Sequence, residues 1–209
     1  MRPSLVGLYQ RFVKETALLT QVLDSTPYLR NQHQLGQEHQ RLICDMGVIQ
    51  FHDAWARFCR ELVVLSAYAQ PLTAHGQRLS RAPGIQNRHQ VIPALLSTYH
   101  RRKYEPSWDQ PGDCIDAARR LQVLNYSTIF AGLGLSLTPS PIDQVRYVRN
   151  FLAHKNAENA RRVAQVAAEF GLTNVRVPEV LVMSVVHPGV SVFIQWVHRL
   201  RLMAWLAIQ

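Results

Sequence analysis

Lysine is nearly absent from this chain. Lys14, Lys103 and Lys155 are the only three among 23 basic residues, which leaves 20 arginines against 14 acidic residues and a net charge of +9. That balance favours an anionic partner, with nucleic acid first and acidic membrane second. Arginine binds phosphate bidentately and stacks on bases, so the bias suits RNA contact; codon usage in a GC-rich genome gives the same bias, and composition leaves both open. Cysteine is equally sparse. Cys44, Cys59 and Cys114 are odd in number, scattered and form no CxxC pair, which argues against a disulfide framework or structural zinc and fits reduced thiols in a cytoplasmic protein. No run approaches the roughly 18 apolar residues of a membrane span. Met1-Arg2-Pro3-Ser4 leads into an amphipathic segment without the apolar core of a signal peptide, so the expectation is a soluble, cytoplasmic protein. There is no internal repeat, no low-complexity tract and no HExxH, GxSxG or Walker A element. Gly132-x-Gly134 follows a helical stretch and lacks a third glycine, so it is not a phosphate loop.

Apolar side chains make up 47% of the 209 residues and charged ones 18%, enough for one large core. The pattern predicts an all-α fold over a single domain, 1–209, with an N-terminal helix or arm (1–30), a loop-rich insertion (70–112), motif-bearing helices (113–170) and a C-terminal helix (190–208). The first helix, 4–24, carries Leu5, Leu8, Phe12, Leu18, Leu19, Val22 and Leu23 and is expected to stop near Asp24-Ser25-Thr26-Pro27. A long helix is expected over about 32–69. Within it Cys44, Val48, Phe51, Trp55, Phe58, Leu62 and Leu65 recur at spacings of four and three, the seam of closely packed helices. These aromatics read as core, because they share one seam.

Residues 70–91, rich in Pro, Gly, Arg and Asn, read as a connecting loop or mobile insertion. A short helix over 91–103 ends in Arg101-Arg102-Lys103. Asp113 is a candidate cap for a helix over 114–131, terminated by Gly132 and Gly134. Ser140-Pro141-Ile142-Asp143 is a strong helix start: hydroxyl cap, proline in the first turn, then an acid. Ile142, Val145, Val148 and Leu152 form its buried stripe. Another helix reads from about 156 to 170, with Val163, Val166, Ala167 and Phe170 inward and Gly171 closing it. Val175 to Val186 suits a short strand, or a helix beginning at Pro178-Glu179. Residues 190–208 are apolar nearly all round, the mark of a buried or interface helix.

Chemistry concentrates in Arg149-Asn150-Phe151-Leu152-Ala153-His154, followed by Lys155. A guanidinium binds phosphate, an amide orients, and an imidazole moves protons near neutral pH, which is what a metal-free enzyme needs to cleave a phosphodiester. Asn150 and His154, four apart, share a helix face, so the amide can reach the ring. Arg149 is five from His154, about 140° round a regular axis, so the two diverge within one chain and converge more easily across a two-fold axis. Lys155, Arg161 and Arg162 could extend a basic track for an RNA backbone, or simply form a solvated face. His52-Asp53, opposite the apolar seam, reads as a solvated surface pair in preference to the lining of a cleft. Asp109, Asp113 and Asp116 form an acidic patch, but Asp113's capping role argues against Mg²⁺, and no metal site is expected.

These six residues match the Arg-x(4–6)-His signature of the HEPN superfamily, with its frequent polar residue after the arginine. The helix bearing Phe51-His52-Asp53-Ala54-Trp55-Ala56-Arg57-Phe58 also resembles the central helix of that fold. The likeness covers about residues 40–170. It implies a HEPN-like antiparallel helical bundle with additional helices, dimerising through the motif-bearing face into one composite cleft. Active members are metal-independent endoribonucleases, common among toxins and anti-phage effectors, and need no cofactor. By that resemblance Arg149 binds the scissile phosphate, Asn150 positions, and His154 acts on the ribose 2′-OH or leaving oxygen, giving 2′,3′-cyclic phosphate and 5′-OH ends. It implies single-stranded or tRNA-like RNA as substrate, a homodimer, and an antitoxin or regulatory protein as a further partner. The alternative is a non-catalytic HEPN-like module that binds RNA or protein without cleaving. No convincing recognition helix supports a DNA-binding regulator.

Overall fold

The computed structural model describes residues 3–31, 36–99, 104–135, 137–173, 175, 177–186 and 189–209. Helices dominate. In chain order they are α1 (Leu5–Asn31), α2 (Gln37–Tyr68), α3 (Arg88–Ser97), α4 (Pro111–Arg120), α5 (Tyr126–Leu133), α6 (Pro141–His154), α7 (Ala157–Glu169) and α8 (Pro178–Met183). The antiparallel pair β1 (Val185–Val186) and β2 (Val190–Ser191) precedes the last helix, α9 (Val192–Leu206). No helix among the described residues is long and apolar enough to cross a membrane.

The chain divides into two compact units, each built from separate stretches. Unit 1 is Met1–Val13, Ala54–Ser136 and Arg201–Gln209; unit 2 is Lys14–Asp53 and Leu137–Leu200. The α2 seam serves both, and all seven of its predicted members are buried. Burying side chains of this size is worth about 1.5–3 kcal/mol each, which fixes the helix despite its polar opposite face.

In unit 1, Phe12, Trp55 and Phe58 form a ring cluster with centroids 5.2–6.0 Å apart, and the Trp55 indole N–H donates to the Asp109 carbonyl at 3.2 Å. The expected helix over 114–131 is two helices. Leu121 closes α4, Gln122 turns left-handed at φ 54°, and the Val123 and Gln122 N–H groups bond back to Ala118 and Arg119 carbonyls. This is a C-terminal lock that glycine usually supplies, and a glutamine at the turn hides it from the sequence. Asp113 lies inside α4, and its carboxylate accepts from the Ser107 N–H at 2.9 Å; Gln110 is the cap residue. Gly132 sits in α5 instead of ending it: a Cβ there would lie 2.3 Å from the Ala207 nitrogen, so only glycine allows that approach.

Residues 70–87 are firmly attached. Leu79, Ala82 and Ile85 are buried, and backbone bonds run from Leu5 N–H to Leu72, from Leu79 N–H to Pro71 and from Ala82 N–H to Ala67. Asn87 then starts α3 through a capping box with Gln90, three residues earlier than expected. Arg101-Arg102-Lys103 lies outside the described residues.

In unit 2, α1 continues through 24–27 to Asn31. The Ser25 hydroxyl donates back to the Val22 carbonyl at 2.9 Å, as Thr20 does to Thr16, so the serine supports the helix instead of capping a new one. Leu18 and Val22, expected in the stripe, are exposed. The segment 175–186 realises both of its readings, a short helix from Pro178 followed by a strand. Phe51 meets Phe193 edge-on at 5.1 Å. The polar heart of the unit is Gln144, 2% exposed. It accepts from the Trp196 indole at 2.8 Å and donates to Glu169 at 2.6 Å, tying α6 to α9 and α7.

Candidate functional site

The α6–α7 hairpin builds the site. Ser140 caps α6 by accepting from the Asp143 N–H, Pro141 occupies the first turn, and Ile142, Val145 and Val148 are buried as expected, with Leu152 half-buried. The helix stays regular through His154. It ends at Lys155, which adopts a left-handed conformation (φ 41°, ψ 39°) with its N–H on the Phe151 carbonyl at 2.8 Å. Asn156 caps α7 by accepting from the Asn159 N–H at 2.9 Å, and Gly171, at φ 71°, closes it. The Asn159 amide also donates to the Asn150 carbonyl at 3.3 Å, pinning the start of α7 to the motif.

Arg149 is half-buried, and its guanidinium lies 3.4 Å from the Asn150 amide oxygen. No carboxylate pairs with it among the described residues. Its neighbours differ: Arg146 pairs with Asp143 at 2.6 Å, Arg161 with Glu158 at 2.7 Å and Arg162 with Glu158 at 3.0 Å. His154 is exposed at the end of α6. The Asn150 amide therefore faces Arg149, and no hydrogen bond joins it to the His154 ring among the described residues. Because the break falls after His154, Arg149 and His154 remain about 140° apart around the axis.

The expected basic track is partly neutralised. The Arg161 bond, followed by Arg162, holds the Glu158 carboxyl below its usual range. Arg162 also lies over the Tyr147 ring at 4.8 Å, a cation–π contact. Lys155 is exposed and within the electrostatic reach of Asp45. Burial raises the Asp45 carboxyl, with Arg41 and Lys155 opposing and Glu179 reinforcing that rise. Asp45, Tyr147 and Asn159 are the neighbours that sequence reasoning missed. Asn159 carries a local signal, three residues after an asparagine cap; the other two meet the site only through the fold.

Outside the hairpin, His52 is not a solvated residue: its side chain is 11% exposed, 3.5 Å from Asp53. The acidic patch is otherwise engaged, since Asp116 takes Arg119, Arg120 and the Tyr99 hydroxyl, and Asp113 takes Ser107. Among the described residues no group of three or more His, Cys, Asp or Glu is placed to hold a metal ion. What the hairpin offers chemically is a guanidinium that meets no carboxylate among the described residues, an amide against it, and an accessible imidazole at the end of the helix. No family model, curated protein or solved structure matches this chain.

Proposed function

We propose that the chain is a metal-independent endoribonuclease of HEPN type, acting in a composite site made by two copies of the α6 motif. The observation that carries this reading is the state of Arg149. Among the described residues it is the arginine of the hairpin that meets no acid, half-buried and steadied by Asn150, while His154 stands in solvent five residues on. An arginine held for stability would be expected to sit on a carboxylate, as Arg146, Arg161 and Arg162 do; one held for phosphate would not. Arg149 binds and polarises the scissile phosphate, Asn150 fixes the guanidinium, and His154 transfers a proton at the ribose 2′-OH or the leaving oxygen. The 2′-oxygen attacks phosphorus and the 5′-oxygen leaves, giving 2′,3′-cyclic phosphate and 5′-OH ends. The divergence of Arg149 and His154 on one helix favours a second copy to complete the pocket. A toxin or anti-phage role, with an antitoxin or regulator as partner, accompanies the resemblance.

The test is cleavage of RNA by the full chain in excess EDTA, with end-group analysis of the products. Arg149→Ala and His154→Ala should each lower the rate by at least about 100-fold at unchanged circular dichroism. Cleavage surviving both substitutions removes the assignment. Tight RNA or protein binding with no product under any condition identifies the non-catalytic module instead.

A further inference from the structure

The net charge is unevenly placed. Unit 1 contains 13 Lys and Arg against 5 Asp and Glu, a net +8, whereas unit 2, which bears the motif, contains 10 against 9, a net +1. Within unit 1 the asymmetry sharpens: from Leu62 to Tyr104 there is no acidic residue. The described part of that stretch includes the attached segment 70–87, whose inward side is apolar and whose outward side exposes His75, Gln77, Arg78, Ser80, Arg81 and Gln86. Among the described residues neither Arg78 nor Arg81 meets a carboxylate. Arg81, itself exposed, donates from its Nε to the Tyr68 carbonyl at 3.0 Å, and its terminal nitrogens have no partner among the described residues.

We infer that this outward side of 70–87, centred on Arg78 and Arg81, is a binding surface for the sugar-phosphate backbone of single-stranded RNA. The choice of RNA among polyanions rests on the proposed nuclease reading; the preference for a polyanion rests on charge alone. A bilayer is the poorer match, because the segment's large apolar residues are buried (Leu79 and Ile85) or half-buried (Leu72), and none is exposed to insert. The exposed amides and hydroxyl instead provide donors and acceptors for phosphate and ribose oxygens. Because buried anchors and backbone bonds already order the segment, binding does not have to order it. Unit 1 thus offers a surface that holds the strand.

The experiment measures binding of the full-length His154→Ala protein to a fluorescent single-stranded RNA by anisotropy, between 50 and 200 mM salt. The double variant Arg78→Glu/Arg81→Glu should bind at least about 10-fold more weakly, with the salt slope reduced by roughly 1.4 for two lost phosphate contacts. The single variant Arg78→Glu, which breaks no described bond, should show about half of that slope change. Lys14→Glu, an equal change of net charge in unit 2, should do much less. Unchanged RNA affinity in the Arg78/Arg81 variant overturns the inference. So does a loss in Lys14→Glu equal to that in Arg78→Glu, or binding to phosphatidylserine vesicles without binding to RNA. If wild-type protein binds RNA through Arg78 and Arg81 yet never cleaves it, this surface stands and the nuclease reading falls.

Discussion

Gln144 is the residue whose loss should be felt most clearly at the motif helix. It is 2% exposed and makes two bonds, from the fully buried Trp196 indole and to Glu169. Gln144→Leu keeps the volume but strands the indole N–H in the core, which costs about 1–3 kcal/mol. Glu169 is exposed and regains water, so its share is smaller, on the order of 0.5–1 kcal/mol. Burying leucine in place of an amide returns roughly 1 kcal/mol, so the net destabilisation should be about 0.5–3 kcal/mol. In the background of Trp196→Phe there is no N–H left to strand, and the same substitution should cost about 1–3 kcal/mol less. The assay is a double-mutant cycle in urea followed by far-UV circular dichroism, with hydrogen exchange of the α6 amides as a local readout. Because the chain has two compact units, the exchange data guard against reading a multi-step transition as one. Costs that add within about 0.3 kcal/mol would show that the Gln144–Trp196 bond does not hold α6.

The remaining expectations concern charge and thiols. Glu158→Gln frees Arg161 and Arg162, so RNA affinity at low salt should rise several-fold and the salt slope should steepen; an unchanged slope would mean that neither arginine reaches a phosphate. Burial raises the Asp45 carboxyl, so its contribution to stability is present at low pH and lost as pH rises through the folded-state value. Asp45→Asn should therefore raise the melting temperature at pH 7 and change it little at pH 3. The Glu105 carboxyl has the opposite sign, since its bond to Arg60 holds it below the usual range. Its contribution is present at neutral pH and lost on acidification, and Glu105→Gln should flatten that loss. Cys44, Cys59 and Cys114 are all buried, and the Cys44 thiol is pushed up to about 12 by burial, so a thiol reagent should label none of them in native protein and all three in urea.

The parts of the fold legible in the sequence are those fixed by local rules. The α2 seam follows from apolar spacing, and the α6 start follows from Ser140-Pro141 because a hydroxyl and a proline satisfy the first turn on their own. The illegible parts depend on tertiary choices. Gln122 takes a glycine-like turn whose Val123 N–H bonds back to the Ala118 carbonyl, with both of those residues buried, and the Ser25 hydroxyl folds back into α1 instead of capping. At the site, the order Arg149, Asn150, His154 and the helix carrying it were readable. The pairing of Glu158 with Arg161 and Arg162 is local, three and four residues along α7, whereas that Asn150 serves Arg149 and that Asp45 lies within reach of Lys155 required the folded structure.

The sharpest measurement is complementation between inactive chains. Arg149→Ala and His154→Ala proteins, each without activity, are mixed, unfolded and refolded together, and RNA cleavage is followed in EDTA. If Arg149 of one copy works with His154 of the other, mixed pairs contain one intact site, and about a quarter of the wild-type rate should return with random pairing. No recovery, in a mixture shown by crosslinking to contain mixed pairs, would contradict the composite site.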